Sequence, residues 1–243
     1  MINLSDYIPS MTFEITNSSS SIYKSSGYSL SGVTGTKLYS TGKVYNARLG
    51  KDEYMAPILY SAAKKLLVAQ RSLLSKGYSI KVYDTYRPYS VTKKIYNSLN
   101  TLYNSNSTVK NNILYSYGLS GTRYTWGTSW FLAASVSAHN TGSAIDMSLV
   151  NKNTGAEVTM PTVMHELSTK AIKYYSPGVS RTPANYSKEM NDYAKIMDNA
   201  ATNAGLTTLA SEWWHFQDNE AHALIKSNQV NGCDFSVTNV YSY

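Results

Sequence analysis

Two short stretches carry the residue types from which a metal site can be built: Ser137-Ala-His-Asn-Thr-Gly-Ser-Ala-Ile-Asp146 and Ser211-Glu-Trp-Trp-His-Phe-Gln217. In the first, His139 and Asp146 are seven residues apart. On a straight strand that is about 23 Å of rise, and on a helix about 10 Å. Zinc ligands sit about 2 Å from one ion, so the two can share a metal only if the chain doubles back between them. Asn140-Thr141-Gly142 has the chemistry of a turn, and Gly142 can take positive φ. In the second stretch Glu212 and His215 bracket two tryptophans. Two histidines and one carboxylate make an open zinc site with a fourth position left for water. Glu212, beside His215 but not needed as a ligand, is a candidate general base for that water. Arg87 is a candidate guanidinium for the oxyanion that develops during attack.

Each residue also has a plainer reading. His139 could be an exposed loop histidine, Asp146 a strand-edge aspartate paired with an arginine, and the tryptophans simply core. Arg87 could form a structural salt bridge to Asp84 or Asp146.

The chain that must position these groups has 243 residues, enough for one large domain or two small ones. At 42% hydrophobic it can bury a substantial core. No apolar run approaches the length of a membrane span, and no basic run followed by an apolar segment marks a secretory signal at the amino terminus. The single cysteine, Cys233, excludes an internal disulfide framework and a cysteine-rich structural zinc site. The net charge of +7 is spread along the chain, with Lys64-Lys65 and Lys93-Lys94 as isolated pairs, so nucleic acid is not the expected partner. The abundance of Ser, Thr, Asn and Tyr over charged residues favours an extracytoplasmic or cell-envelope protein, with the cytoplasm as the alternative.

Helical spacing of Ile58, Leu59, Ala62, Leu66, Leu73 and Leu74 predicts a helix over 53–76, with Pro57 in its first turn and Gly77 at its end. Residues 78–84 alternate as a strand, and Arg87, held extended by Pro88, should leave from its exit loop. A second helix is expected from Val91 to about Tyr103. Residues 104–136 read as a long excursion over the surface, and Asn153-Thr154-Gly155 as a hairpin turn. Residues 187–205 read as a helix with a Ser cap and a Gly stop. In the first fifty residues, 11–15 and 43–49 could be short strands around a serine-rich loop at 17–27. No convincing linker interrupts the chain. Helices interleave with hairpin-like strands, which favours a single α+β domain over 1–243.

The same residues resemble the D-alanyl-D-alanine metallopeptidases. Residues 137–146 match that family's S-x-H-x-x-G-x-A-x-D signature, and Glu212-Trp-Trp-His215 matches its second signature in the form found in VanX-type dipeptidases. Residues 83–88 resemble its arginine segment, residues 149–162 the hairpin after the metal aspartate, and residues 4–15, more weakly, its start. The resemblance implies a compact α+β domain with a central, mainly antiparallel sheet flanked by helices. It implies one zinc ion per chain held by His139, Asp146 and His215. It further implies that Glu212 is base and then acid, that Arg87 polarises the scissile carbonyl, and that Ser137 contacts the bound peptide. The substrate implied is D-Ala-D-Ala or a related peptide from peptidoglycan metabolism.

Two departures bear on specificity. Where the dipeptidases carry an aspartate for the substrate's free ammonium, this chain has His165, and an imidazole is a poor partner for a cation. The family's usual segment near the start is replaced by the serine-rich residues 14–23, and 104–136 look divergent. A carboxypeptidase acting on longer stem peptides, and a non-catalytic zinc module that binds wall peptide or a partner, remain the alternatives.

Overall fold

The computed structural model describes residues 1–13, 43–46, 51–54, 56–117, 123–174 and 180–228. The serine-rich stretch at 17–27 and Cys233 lie outside them. The chain begins with strand β1 (Ile2–Asn3), the single-turn helix α1 (Leu4–Tyr7) and strand β2 (Thr12–Phe13). Strands β3 (Lys43–Asn46) and β4 (Lys51–Tyr54) pair with each other, and β5 (Pro57–Ile58) pairs with β1. Helix α2 (Tyr60–Ser75) leads into strand β6 (Tyr78–Asp84), followed by helices α3 (Tyr89–Ser105) and α4 (Ser107–Leu114). A hairpin of β7 (Tyr115–Tyr117) and β8 (Arg123–Thr125) precedes the long strand β9 (Ala144–Asn151). Helix α5 (Asp192–Asn203), strands β10 (Thr207–Thr208) and β11 (His215–Gln217), and helix α6 (Asn219–Ser227) complete the described chain.

The central sheet has the order β10-β11-β9-β6-β2. Every pairing is antiparallel except β2 with β6. Sequence reasoning placed an α+β domain with a mainly antiparallel sheet here, and that is the architecture observed. Alternation along β9 explains how one strand serves two purposes. Ile145, Met147 and Leu149 join the hydrophobic core beneath α2 and α5, while Asp146 and Ser148 face the other side.

Several boundaries differ from the sequence reading. Helix α2 starts at Tyr60, and Pro57 sits instead in β5, antiparallel to β1. The Asn3 side chain accepts the Ala56 N–H at 2.9 Å, and Leu59 N–H donates to Gly142 O at 2.7 Å, so tertiary partners hold the chain extended there. The cap of α5 is Asn191, whose side chain accepts from Ala194 N–H. Ser187 lies outside the helix because its hydroxyl donates to Ile172 O. Residues 104–136 do more than cross the surface: they supply α4 and bury Val109, Ile113, Trp126, Phe131 and Leu132. The strand over 78–84, the Arg87 exit loop and the turn at 153–155 fall where the spacing put them.

A buried ion pair ties α5 to the segment beneath β11. Lys173 Nζ donates to Asp198 Oδ1 at 2.8 Å and to Thr208 Oγ1, and lies over the Phe216 ring. Asp198 Oδ2 accepts from the hydroxyls of Tyr174 and Tyr186 at 2.8 and 2.7 Å. Burial pulls the Lys173 ammonium below its ordinary pKa, against the attraction of Asp198. Burial would raise Asp198, but Lys173 and the two hydroxyls hold it below its ordinary range. Breaking such a pair from one side strands a buried charge. Lys173→Met is expected to cost about 3 kcal/mol of stability, measured by urea unfolding. A loss under about 1 kcal/mol would show that the pair does not support the fold.

Candidate metal centre and substrate pocket

The site is assembled at one end of β9 by strand register. Asp146 lies opposite His215 on β11 and opposite Asp84 on β6, where the pairing shifts between Val82 and Asp84. His139 arrives from the turn before β9. Within that turn Gly142 has φ +70°, and its N–H bonds back to His139 O at 3.1 Å. A side chain at position 142 would also meet Met1, whose Cε lies 2.9 Å from a Cβ built there. Asn140, fully buried, locks the turn onto the arginine loop. Its Nδ2 donates to Arg87 O at 2.8 Å and Thr92 Oγ1 at 2.9 Å, and its Oδ1 accepts from Ser137 N–H and Oγ–H. The doubling back that a shared metal requires is therefore present. His139, Asp146 and His215 each offer one ligand atom, and the three atoms lie within 4.8 Å of one another.

The hydrogen bonds around the imidazoles decide what they can hold. His139 Nδ1 lies 2.6 Å from Thr85 O, and His215 Nε2 lies 2.8 Å from Gln217 Oε1. Carbonyl oxygens only accept, so those ring nitrogens carry the protons. The nitrogens left over, His139 Nε2 and His215 Nδ1, face each other at 3.2 Å with their lone pairs. Asp146 Oδ1 is 3.2 Å from the first and 3.1 Å from the second. Three electron-pair donors converging in a buried space call for a positive charge between them. A proton can also supply that charge: burial lowers the His139 pKa, and Asp146 more than offsets it. Burial likewise would raise Asp146, but His139 and the hydrogen bond from His165 hold it well below its ordinary range. The nitrogen and oxygen donor set suits a borderline metal such as zinc.

Glu212 sits beside this cluster, with Oε2 3.9 Å from His215 Nδ1. Only His215–Gln217 is strand; Glu212 and the tryptophans form the turn before it, where His215 N–H bonds Glu212 O. Trp213 and Trp214 are both buried in the core, so they anchor the turn that presents Glu212. Burial pushes the Glu212 carboxyl up to about 8, against the pull of His215. That places a proton acceptor and donor close to neutral pH.

Arg87 is buried, and both Nε and one terminal nitrogen bond Asp84 Oδ2, at 2.9 and 2.8 Å. The same terminal nitrogen is 3.8 Å from Asp146 Oδ2. The salt-bridge reading is thus realised, and Asp84 fixes a guanidinium that also lines the pocket. Ser137 lines that pocket too, with its hydroxyl on Asn140. His165 lies in the wall, its Nε2 2.8 Å from Asp146 Oδ2.

The pocket over the cluster has a volume of about 360 Å³, within the range of small-ligand sites. Trp130, Phe131 and Leu132 supply apolar lining, and Arg181, His222 and Lys226 line it as well. Sequence reasoning missed the supports Thr85 O and Gln217. Gln217 had a signal, since i and i+2 on a strand share a face with His215. Thr85 acts through its backbone and had none.

A family model described as D-ala-D-ala dipeptidase matches residues 45–232. A D-alanyl-D-alanine dipeptidase from Enterococcus faecium is 26% identical over 157 residues, covering 65% of this chain and 70% of that protein. The family is metal-dependent, and the donor cluster, the neighbouring carboxylate and the pocket all fall inside the matched span. The chain accordingly belongs to the D-Ala-D-Ala dipeptidase family and is a metallopeptidase.

Proposed function

We propose that this protein hydrolyses D-Ala-D-Ala, or a closely related peptide from peptidoglycan metabolism, with one zinc ion held by His139, Asp146 and His215. The observation that carries the reading is the convergence of three lone-pair donors with the Glu212 carboxyl at the floor of one pocket. Zinc, when bound, would lower the pKa of a water and polarise a carbonyl. Glu212 takes the proton of the attacking water and passes it to the leaving amine. Arg87, held by Asp84, offers its charge to the developing oxyanion without having to reorganise. Ser137 and the apolar lining of Trp130, Phe131 and Leu132 shape the space for small side chains.

A second reading has its own support. Among the described residues, Asp146 and Glu212 are the only carboxylates that line the pocket, whereas Arg181 and Lys226, both exposed, line it as well. A free ammonium group finds no further anion there, but a substrate carboxylate finds cations. That favours peptides whose amino end is already in amide linkage, as in a carboxypeptidase acting on stem peptides.

Three measurements test these readings. Glu212→Gln is expected to lower turnover by about 10²–10⁴-fold and leave zinc content unchanged; full activity in that variant would refute the role of base. Free D-Ala-D-Ala and a stem pentapeptide, assayed side by side, separate the two substrates, and faster turnover of the pentapeptide would favour the second. The third concerns pH. The folded metal-free chain keeps a proton on Glu212 that the unfolded chain releases above the ordinary carboxylate range near 4.5. Stability of the metal-free protein is therefore expected to fall as pH rises towards about 8, and Glu212→Gln to flatten that slope. Equal slopes in unfolding experiments would show that burial does not hold the proton.

A further inference from the structure

His165 occupies an unusual position in two respects. It has φ +60°, a left-handed conformation uncommon outside glycine, which histidine, asparagine and aspartate adopt more readily than other residues. Its buried ring is also committed to the carboxylate at the centre of the site, with Nε2 2.8 Å from Asp146 Oδ2. Strain of this kind persists only where surrounding structure over-determines it. Here Trp214 meets the ring edge-on with centroids 5.4 Å apart, and Tyr83 does so at 6.5 Å. The following residues close a local turn, with Glu166 N–H on Val163 O and Ser168 Oγ–H on Glu166 Oε1.

The consequence falls on Asp146. Strand register fixes its backbone, but the terminal torsion of an aspartate is broad and roughly two-fold. Its two oxygens have nevertheless been given separate tasks. Oδ1 faces His139 Nε2 and His215 Nδ1, while Oδ2 faces His165. A carboxylate can only accept, so His165 donates from Nε2 in a charge-assisted bond. The Arg87 terminal nitrogen stays 3.8 Å from the same oxygen because Asp84 holds it at 2.8 Å. We propose that His165 is a positioning residue: it holds Asp146 Oδ2 and so keeps Oδ1 aimed at His139 Nε2 and His215 Nδ1, where a metal would be held, and the left-handed backbone at 165 is how the ring is aimed there. The inference rests on the reading that His139, Asp146 and His215 bind a metal. Its donor is thereby spent on Asp146 rather than on substrate.

The test reads zinc affinity by chelator competition and, separately, the thermal midpoint of the metal-free protein. Asn tolerates the left-handed region but is too short to reach Oδ2, and Gly relieves the backbone altogether. Both His165→Asn and His165→Gly are expected to weaken zinc binding by about 10–100-fold, beyond what any accompanying fall in the metal-free midpoint accounts for. His165→Gln, which keeps a donor of similar reach, is expected to recover part of the affinity. Zinc affinity within about threefold of the parent in the Asn and Gly variants would overturn the proposal. So would a loss of affinity that only tracks a fall in the metal-free midpoint, because that marks a purely structural residue. A parent protein that binds no zinc would overturn both this inference and the proposed function, whereas a zinc-binding parent with indifferent variants overturns the His165 role alone.

Discussion

The pairing of β9 with β11 and β6 at Asp146 is the constraint on which the site depends. That register sets Asp146 opposite His215 on one side and opposite Asp84 on the other. Side chains alternate faces along a strand, so a slip of one residue would send Asp146 into the core and Met147 into the pocket. The core prevents such a slip, because Ile145, Met147 and Leu149 are buried beneath α2 and α5. The same hydrophobic packing that stabilises the sheet thus fixes the aim of a carboxylate on its other face.

A cluster of buried polar groups survives only if each member is committed. Here the commitments run outward from Asp146 in three directions. His139 is backed by Thr85 O, His215 by Gln217, and Arg87 by Asp84. Asn140 joins the arginine loop to the histidine turn, and His222 adds a contact to Thr141 from α6. Elements distant in sequence therefore share one network, and the geometry at the centre is held from several sides. Glu212 differs: its near partner is His215 at 3.9 Å, and burial leaves it holding a proton up to about pH 8. A group that exchanges protons needs such looser attachment.

Much of this was legible in residue order. The turn at 140–142 followed from its residue types, and the strand at 78–84 from its alternation. The carboxylate and imidazole chemistry followed from the two signatures, which are themselves local. Helix ends were less legible: Pro57 could have opened α2, but pairing of β5 with Ile2–Asn3 took precedence. Ser187 could have capped α5, but its hydroxyl had a tertiary acceptor in Ile172 O. In both cases a residue with a sound local preference found a better partner far along the chain, which propensity does not register.

By itself the sequence determined the donor types, their order, and the need for the chain to reverse between His139 and Asp146. Those depend on residue identity and on spacing along a strand. Only the tertiary structure decided which nitrogen of each imidazole faces the centre, that Asp84 grips Arg87, and that His165 is spent on Asp146. The reason is physical. A tautomer is selected by the acceptor behind the ring, and those acceptors are the backbone carbonyl of Thr85 for His139 and the side-chain amide of Gln217 for His215. The first is not visible until the chain has folded.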